Sequence, residues 1–266
     1  MRRAALLLAL LLLAGCGSDG QDAPETSPEP ESAAPTATPT SAPAFAVLDG
    51  PLRRCGPLPA SLASADLRPT TLRDPVVGRI PAVVSGQGRT VAVLLHQTDG
   101  NGLCGWLEHV PALTEAPGVA VLAVDVCPYG VARCADDVDP MDVATAVVRH
   151  AREQLRADRV VVVGASMGGS LALISAATVD GVDAAVDLSG PTDWDGMERV
   201  RGGRAVRVPV LVSMAEADEG PEEVATAERI VARSPEGSRF LAAESGHGYD
   251  LVEPLLADIR AWVTGD

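Results

Sequence analysis

The chain has 266 residues, 47% of them hydrophobic, enough to bury the core of one large domain. Thirty-six acidic against 21 basic side chains give a net charge of −15, which repels phosphate backbones and anionic headgroups and excludes nucleic acid as an expected partner. Lysine is absent, so every one of those basic side chains is an arginine.

Arg2 and Arg3 precede an apolar run, Ala4 to Ala14, that is too short to span a bilayer. It closes on Leu13-Ala14-Gly15-Cys16, which resembles the lipobox of bacterial lipoproteins. That resemblance implies that residues 1–16 are a signal peptide and that Cys16 is lipidated as the first mature residue. The protein is then exported and anchored on the extracytoplasmic face of the cell membrane. An ordinary secretory signal is the competing reading, and it leaves Cys16 without a role. Residues 17–44 are Pro, Ser, Thr, Ala and acids with almost no large apolar side chain, which cannot offset the entropy of ordering. A tether of that length holds the following domain roughly 30 Å from its anchor. The folded part, 45–266, keeps 19 basic against 31 acidic residues, net −12, so membrane contact is expected through the lipid alone.

Cys55, Cys104, Cys127 and Cys134 remain, an even count that in an exported domain suggests two disulfides. Of the three possible pairings we favour Cys127 with Cys134, which share one loop, leaving Cys55 to staple the start of the domain to Cys104. Zinc is the competing reading, but there is no CxxC and no histidine nearby in sequence. No metal and no cofactor are expected.

From Phe45 onward, apolar runs of strand length alternate with segments of helical period, which predicts an α/β domain with a mainly parallel, doubly wound sheet. A first segment, Val76 to Ser85, predicts one or two leading antiparallel strands, although Gly78 and Pro81 interrupt it. Thr90–Leu95, Val119–Val124, Arg159–Val163, Val182–Val186, Val208–Val212 and Ser238–Ala242 are nearly continuous in apolar residues, as strands buried on both faces are. Between them, Leu103–Thr114, Asp142–Arg156, Met167–Thr178, Pro221–Arg233 and Tyr249–Val263 predict helices. Only about twenty residues join the strand near Val186 to the one near Val208, so little or no lid is expected beyond one short helix around Trp194–Val200.

Gly164-Ala-Ser-Met-Gly168 matches G-x-S-x-G and follows a strand and precedes a helix, the turn that lifts a serine hydroxyl above a sheet. Here the chain resembles the α/β-hydrolase family, over roughly Thr90 to the C-terminus, and its dienelactone-hydrolase-like and small esterase branches. Dienelactone hydrolases themselves use cysteine where this chain has Ser166. The resemblance implies that Ser166 is the nucleophile and that an acid and a histidine follow in that order. Met214-Ala-Glu-Ala-Asp218 resembles the family's G-x-x-D turn with Ala215 in place of glycine, which makes Asp218 the expected acid, with Glu216, Asp187 and Asp193 as rivals. His247, in Ser245-Gly-His-Gly248 between the last strand and the last helix, is the expected base. His109 and His150 fall inside predicted helices and are expected to be packing or surface residues. His96-Gln-Thr-Asp-Gly100 resembles the family's His-Gly-x oxyanion loop with Gln97 replacing glycine, so the backbone N–H of Thr98, or of Gln97, is expected to act with that of Met167.

These residues imply a carboxylic ester hydrolase, most simply a monomer acting on a small-molecule ester. A peptidase or amidase with the same triad and a catalytically silent binding protein on the same fold are the alternatives. Trp106, Tyr129 and Trp194 are the aromatics best placed in sequence to line a pocket, with packing beneath loops as the equal alternative.

Overall fold

The computed structural model describes residues 45–98, 101–201 and 206–266. The signal peptide, lipobox and tether expected from the sequence lie outside them, as do Asp99 and Gly100 of the expected oxyanion loop. A small antiparallel pair opens the described chain, β1 (Phe45–Val47) with β2 (Pro57–Pro59). The main sheet follows, with β3 (Arg68–Asp74), β4 (Gly78–Gly86), β5 (Gly88–Leu95), β6 (Gly118–Val124), β7 (Arg133–Cys134), β8 (Arg159–Ala165), β9 (Ala184–Leu188), β10 (Val210–Ala215) and β11 (Arg239–Ala243). Its order is β11-β10-β9-β8-β5-β6-β4-β3, with β7 also pairing β4. Strands β5, β6 and β8 to β11 are parallel, whereas β3, β4 and β7 are antiparallel. The leading segment, Val76 to Ser85, becomes the single strand β4, which carries Pro81 within it, and its antiparallel partner β3 lies just before that segment, outside the expected range.

The helices are α1 (Val110–Thr114), α2 (Pro140–Glu153), α3 (Met167–Thr178), α4 (Glu198–Arg201), α5 (Glu216–Glu219), α6 (Pro221–Ala232) and α7 (Leu256–Thr264). Alternation along the central strands splits the core into two faces. Val91, Val93, Leu95, Val160 and Val162 point into a cluster with α2 and α3, while Ala92, Leu94, Val161, Val163 and Ala165 join α1, α7 and the first segment of the domain. Both sets are buried, which accounts for the continuous apolar runs. Helix α3 is buried on every side from Met167 to Ala177, so its N-terminal turn is held as rigidly as the sheet beneath it.

Several boundaries moved for local reasons. Helix α2 begins at Pro140 because Asp139 and Asp142 form a reciprocal capping box with proline at the first turn. The long helix expected over Leu103–Thr114 is a 3₁₀ turn, Gly102–Trp106, followed by the short α1, and the one over Tyr249–Val263 splits likewise into Gly248–Leu251 and α7. In the first case the break falls where the disulfide Cys55–Cys104 and the fully buried Trp106 anchor the turn. The second disulfide joins Cys127 and Cys134, so both favoured pairings are present.

A single ion pair ties the start of the domain to the sheet. The Asp125 side chain, fully buried just past β6, accepts from Arg54 Nη2 at 2.8 Å on both oxygens, from Leu103 N at 2.9 Å and from Val131 N at 2.9 Å. Arg54 Nη1 also donates to the carbonyl of Asn101 at 2.8 Å. Because a buried carboxylate loses its compensation when its cation is removed, Arg54→Ala is expected to lower unfolding stability by about 3 kcal/mol in urea titration. A loss below about 1 kcal/mol would place the pair with ordinary surface bridges.

Candidate active site

Strand β8 runs into α3 through Ser166, whose backbone sits at φ 52°, ψ −119°. Two close approaches force that turn. A Cβ on Gly164 would stand 1.8 Å from the carbonyl oxygen of Gly168, and one on Gly168 would stand 2.1 Å from that of Leu95. Glycine is therefore required at both positions, as the motif suggests. Ser166 N donates to the Leu188 carbonyl at 2.8 Å, and Gly169 N and Ser170 N bond back to the Ser166 carbonyl. The side chain ends up at the sheet's C-terminal edge with 8% of its surface exposed, reachable but shielded.

His247 reaches this edge on the turn after β11. That turn packs on the ends of β8 and β9, and a Cβ on Gly248 would lie 3.6 Å from the Cβ of Ala165, the residue before Ser166. The carboxylate that meets the imidazole is Glu219, whose Oε1 is 2.5 Å from His247 Nδ1. Asp218, the expected acid, instead accepts the backbone N–H of Gly246 at 2.8 Å and so holds the histidine's loop in place without touching its ring. The reason is local. The chain turns into a single helical turn directly at Glu216, and about 100° of rotation per residue carries Glu219 to the histidine side. Gly220 at φ 84° ends that turn and Pro221 starts α6, a stop signal in the sequence that points to a helical Glu216–Glu219 and thus to Glu219. Neither Glu216 nor Asp193 takes the ring contact.

The loop after β5 is anchored by His96, which is fully buried. Its Nε2 accepts from Val126 N at 2.9 Å, so the proton lies on Nδ1, which donates to the Gln97 carbonyl at 2.7 Å. Its ring stands edge-on to Tyr129, with centroids 5.8 Å apart. Gln97 Oε1 takes the backbone N–H of Tyr249 at 3.4 Å. A Cβ on Gly248 would stand 2.2 Å from that oxygen, so the Gln97 amide and Gly248 fit each other. The glutamine thus ties the loop of Thr98 to the loop of His247. Thr98 itself is exposed, and the loop leaves β5 beside the first turn of α3, since Gly168 packs against the Leu95 and His96 carbonyls. The Met167 N–H, first in α3, has no intrahelical acceptor, as at any helix start.

Of the two readings left open for Trp106, Tyr129 and Trp194, packing is the one that the structure takes. Trp106 is fully buried and meets Tyr249 edge-on at 5.1 Å and His109 at 6.1 Å. His109 is thereby a packing residue. Tyr129 and Trp194 are half-buried against the core on the α2 and α3 face. The short helix expected around Trp194 is α4, a few residues later.

Asp187, at the end of β9, is fully buried. Its Oδ1 accepts from Gly190 N at 2.7 Å, and its Oδ2 has no partner among the described residues. Burial pushes its carboxyl well above the usual carboxylate range; the Gly190 hydrogen bond opposes this, while the charges of Glu219 and Glu223 add to it. The turn it braces is pressed against α3, because a Cβ on Gly169 would stand 2.1 Å from Asp187 Oδ1 and one on Gly190 would stand 2.3 Å from Ser170 N.

Comparison with known proteins bears on the fold. The model of the dienelactone hydrolase family matches residues 132–235, which include Ser166 and the strand leading to Glu219. No curated protein matches the chain. Similar solved structures include an esterase of Pyrococcus furiosus, at 16% identity and a TM-score of 0.58 over 77% of this chain and 91% of that one. Carboxylesterase CesB of Bacillus subtilis is similar at 14% identity and a TM-score of 0.60, over 77% and 94%. An α/β serine hydrolase homologue from Coxiella burnetii is similar at 15% identity and a TM-score of 0.55, over 74% and 95%. The likeness is one of fold, and the chain has the α/β-hydrolase fold.

The folded state keeps the Asp187 proton to higher pH than the unfolded chain does. Stability therefore falls as pH rises from the ordinary carboxylate value through the raised one. Asp187→Asn removes that contribution. Urea unfolding at a series of pH values should show the parent losing stability relative to the Asn variant across this window; parallel profiles would contradict a retained proton.

Proposed function

We propose that the protein is an exported, lipid-anchored serine hydrolase that cleaves carboxylic esters of small molecules through Ser166, His247 and Glu219. The observation that carries this reading is the 2.5 Å contact between His247 Nδ1 and Glu219 on a loop packed against the strand end that delivers a strained Ser166. A serine hydroxyl is a weak nucleophile until a base removes its proton, and an imidazole does so only when its other nitrogen is held by an acceptor. Glu219 supplies that acceptor and Asp218 positions the loop.

In this mechanism Ser166 Oγ attacks the ester carbonyl while His247 Nε2 takes the hydroxyl proton. The tetrahedral oxyanion is received by the N–H of Met167 together with that of Thr98 or Gln97. Collapse expels the alcohol, which takes the proton from His247 and leaves an acyl-serine. Water, deprotonated by His247, then attacks the acyl carbon and releases the carboxylic acid and free Ser166. The family match and the esterase neighbours support ester over amide as the bond cleaved.

Covalent labelling by a fluorophosphonate and hydrolysis of short p-nitrophenyl esters test the reading together. Ser166→Ala should abolish both, and persisting activity would refute it. Glu219→Gln should lower kcat by about 10³–10⁴-fold, as loss of the imidazole's acceptor does in related triads. Asp218→Asn should lower it by less than about tenfold, because Asp218 acts on loop position only; the opposite ranking would make Asp218 the acid. Anchoring has its own measurement: Cys16→Ser should move the protein from the membrane to the soluble fraction, and retention at the membrane would argue against the lipid.

A further inference from the structure

Apart from the candidate active site, the first segment of the domain and the outer antiparallel strands enclose a groove of about 520 Å³. Small-molecule sites commonly occupy about 300–1,000 Å³, so the volume suits a ligand. Its lining includes Arg54, Arg79, Arg133, Thr70 and Thr71 and, among the described residues, not one carboxylate. In a folded part with 31 acidic against 19 basic residues, a concave surface whose described lining has three arginines and no acid is a reversal of the surrounding charge.

The register concentrates that charge. Arg79 of β4 lies directly opposite Arg133 of β7 and, on its other side, directly opposite Arg73 of β3. Residues directly opposite on antiparallel strands share a face, so three guanidinium side chains stand in a row across β3, β4 and β7. Like charges so placed repel and destabilise the pairing. Arg54 is neutralised by Asp125, but Arg73, Arg79 and Arg133 have no hydrogen-bond or ion-pair partner among the described residues. Elsewhere in the sheet, Arg68 is paired with Asp66, Arg89 with Asp158, and Arg159 donates to the carbonyls of Val263 and Trp262, so three adjacent arginines without a partner stand apart from these. The hydroxyls of Thr70 and Thr71 add donors beside it.

We propose that this groove is a binding site for a small ligand bearing two or more oxyanion charges, such as a phosphate ester or a polycarboxylate, held between Arg79 and Arg133. Planar guanidinium groups pair with phosphate and carboxylate oxygens in a bidentate fork, and an anion between two of them removes their mutual repulsion. The ligand could be free in solution or the headgroup of an anionic lipid; the chemistry at the arginines is the same.

The test uses the full-length chain carrying Cys16→Ser, which removes the lipid anchor as a confounding contact. Inorganic pyrophosphate is titrated by calorimetry, and sedimentation is measured with phosphatidylcholine vesicles with and without phosphatidic acid. Saturable, one-to-one pyrophosphate binding that weakens at least tenfold in Arg79→Gln/Arg133→Gln, and persists in Ser166→Ala, supports a site for free oxyanions. Sedimentation that depends on phosphatidic acid and on the same two arginines, without pyrophosphate binding, supports the site with a headgroup as its source. The double variant should unfold at no lower temperature than the parent without ligand, since a repulsive pair is removed. Absence of both kinds of binding, or binding unchanged by the double substitution, overturns the proposal and leaves the row as a charged guard on the sheet edge.

Discussion

At Ser166 the backbone occupies a region that costs a residue with a side chain of order 1–3 kcal/mol, and the structure must hold it there. It does so by making the alternatives sterically impossible. Gly168 sits against the Leu95 carbonyl and Gly164 against Gly168, so β5, β8 and α3 meet at a point where one added methyl group would separate them. The Leu188 carbonyl takes the Ser166 N–H, which brings β9 into the same junction. Three parallel strands and a wholly buried helix thus over-determine a single turn, and the other parts of the site are placed relative to it.

Those parts are tied to one another by polar contacts rather than by apolar packing. Gln97 joins the loop after β5 to the loop of His247, Asp218 joins the latter to the end of β10, and His96 pins the start of the former to Val126. Two of these links use side chains that a simple motif reading treats as a departure, Gln97, or assigns elsewhere, Asp218. A glycine at position 97 would leave the loop free of the histidine's loop, so the substitution trades flexibility for coupling. The acidic groups around β9 and β10 follow the same logic. Burial pushes the Asp187 carboxyl above the ordinary carboxylate range and the nearby charges of Glu219 and Glu223 push it the same way, so the acids at the ends of β9 and β10 are coupled.

The parallel strands were legible from their continuous apolar runs, because burial on both faces leaves a signal that needs no partner information. Ser166 and His247 were legible because a strand–turn–helix glycine pattern and a Gly-His-Gly turn are properties of a few consecutive residues. Glu219 was not found, since choosing among Glu216, Asp218 and Glu219 depends on whether the chain after β10 stays extended or coils at once. A four-residue helix carries almost no periodicity to reveal that, and Gly220-Pro221 was the only local hint. Trp106 was left open between pocket lining and packing, and its depth was not legible. It lies in a segment that looked like an ordinary helix near loops, but the Cys55–Cys104 bond and the Arg54–Asp125 pair draw that segment beneath the start of the domain and bury the indole completely. Contacts across 49 and 71 residues of sequence are invisible to a window of a dozen.

The same two long-range ties govern how charge is distributed at the outer end of the sheet. Asp125 has its charge matched by Arg54 inside the fold, which lets a carboxylate be fully buried and its neighbouring turns be held by hydrogen bonds. Among the described residues no such partner faces Arg79 and Arg133. Folding stability alone would favour an acid or a neutral residue in at least one of these opposed positions, because the repulsion brings no compensating contact among the described residues. Two adjacent sites on one domain therefore follow contrary rules: the buried carboxylate is matched internally, and the arginine row is left to be matched from outside.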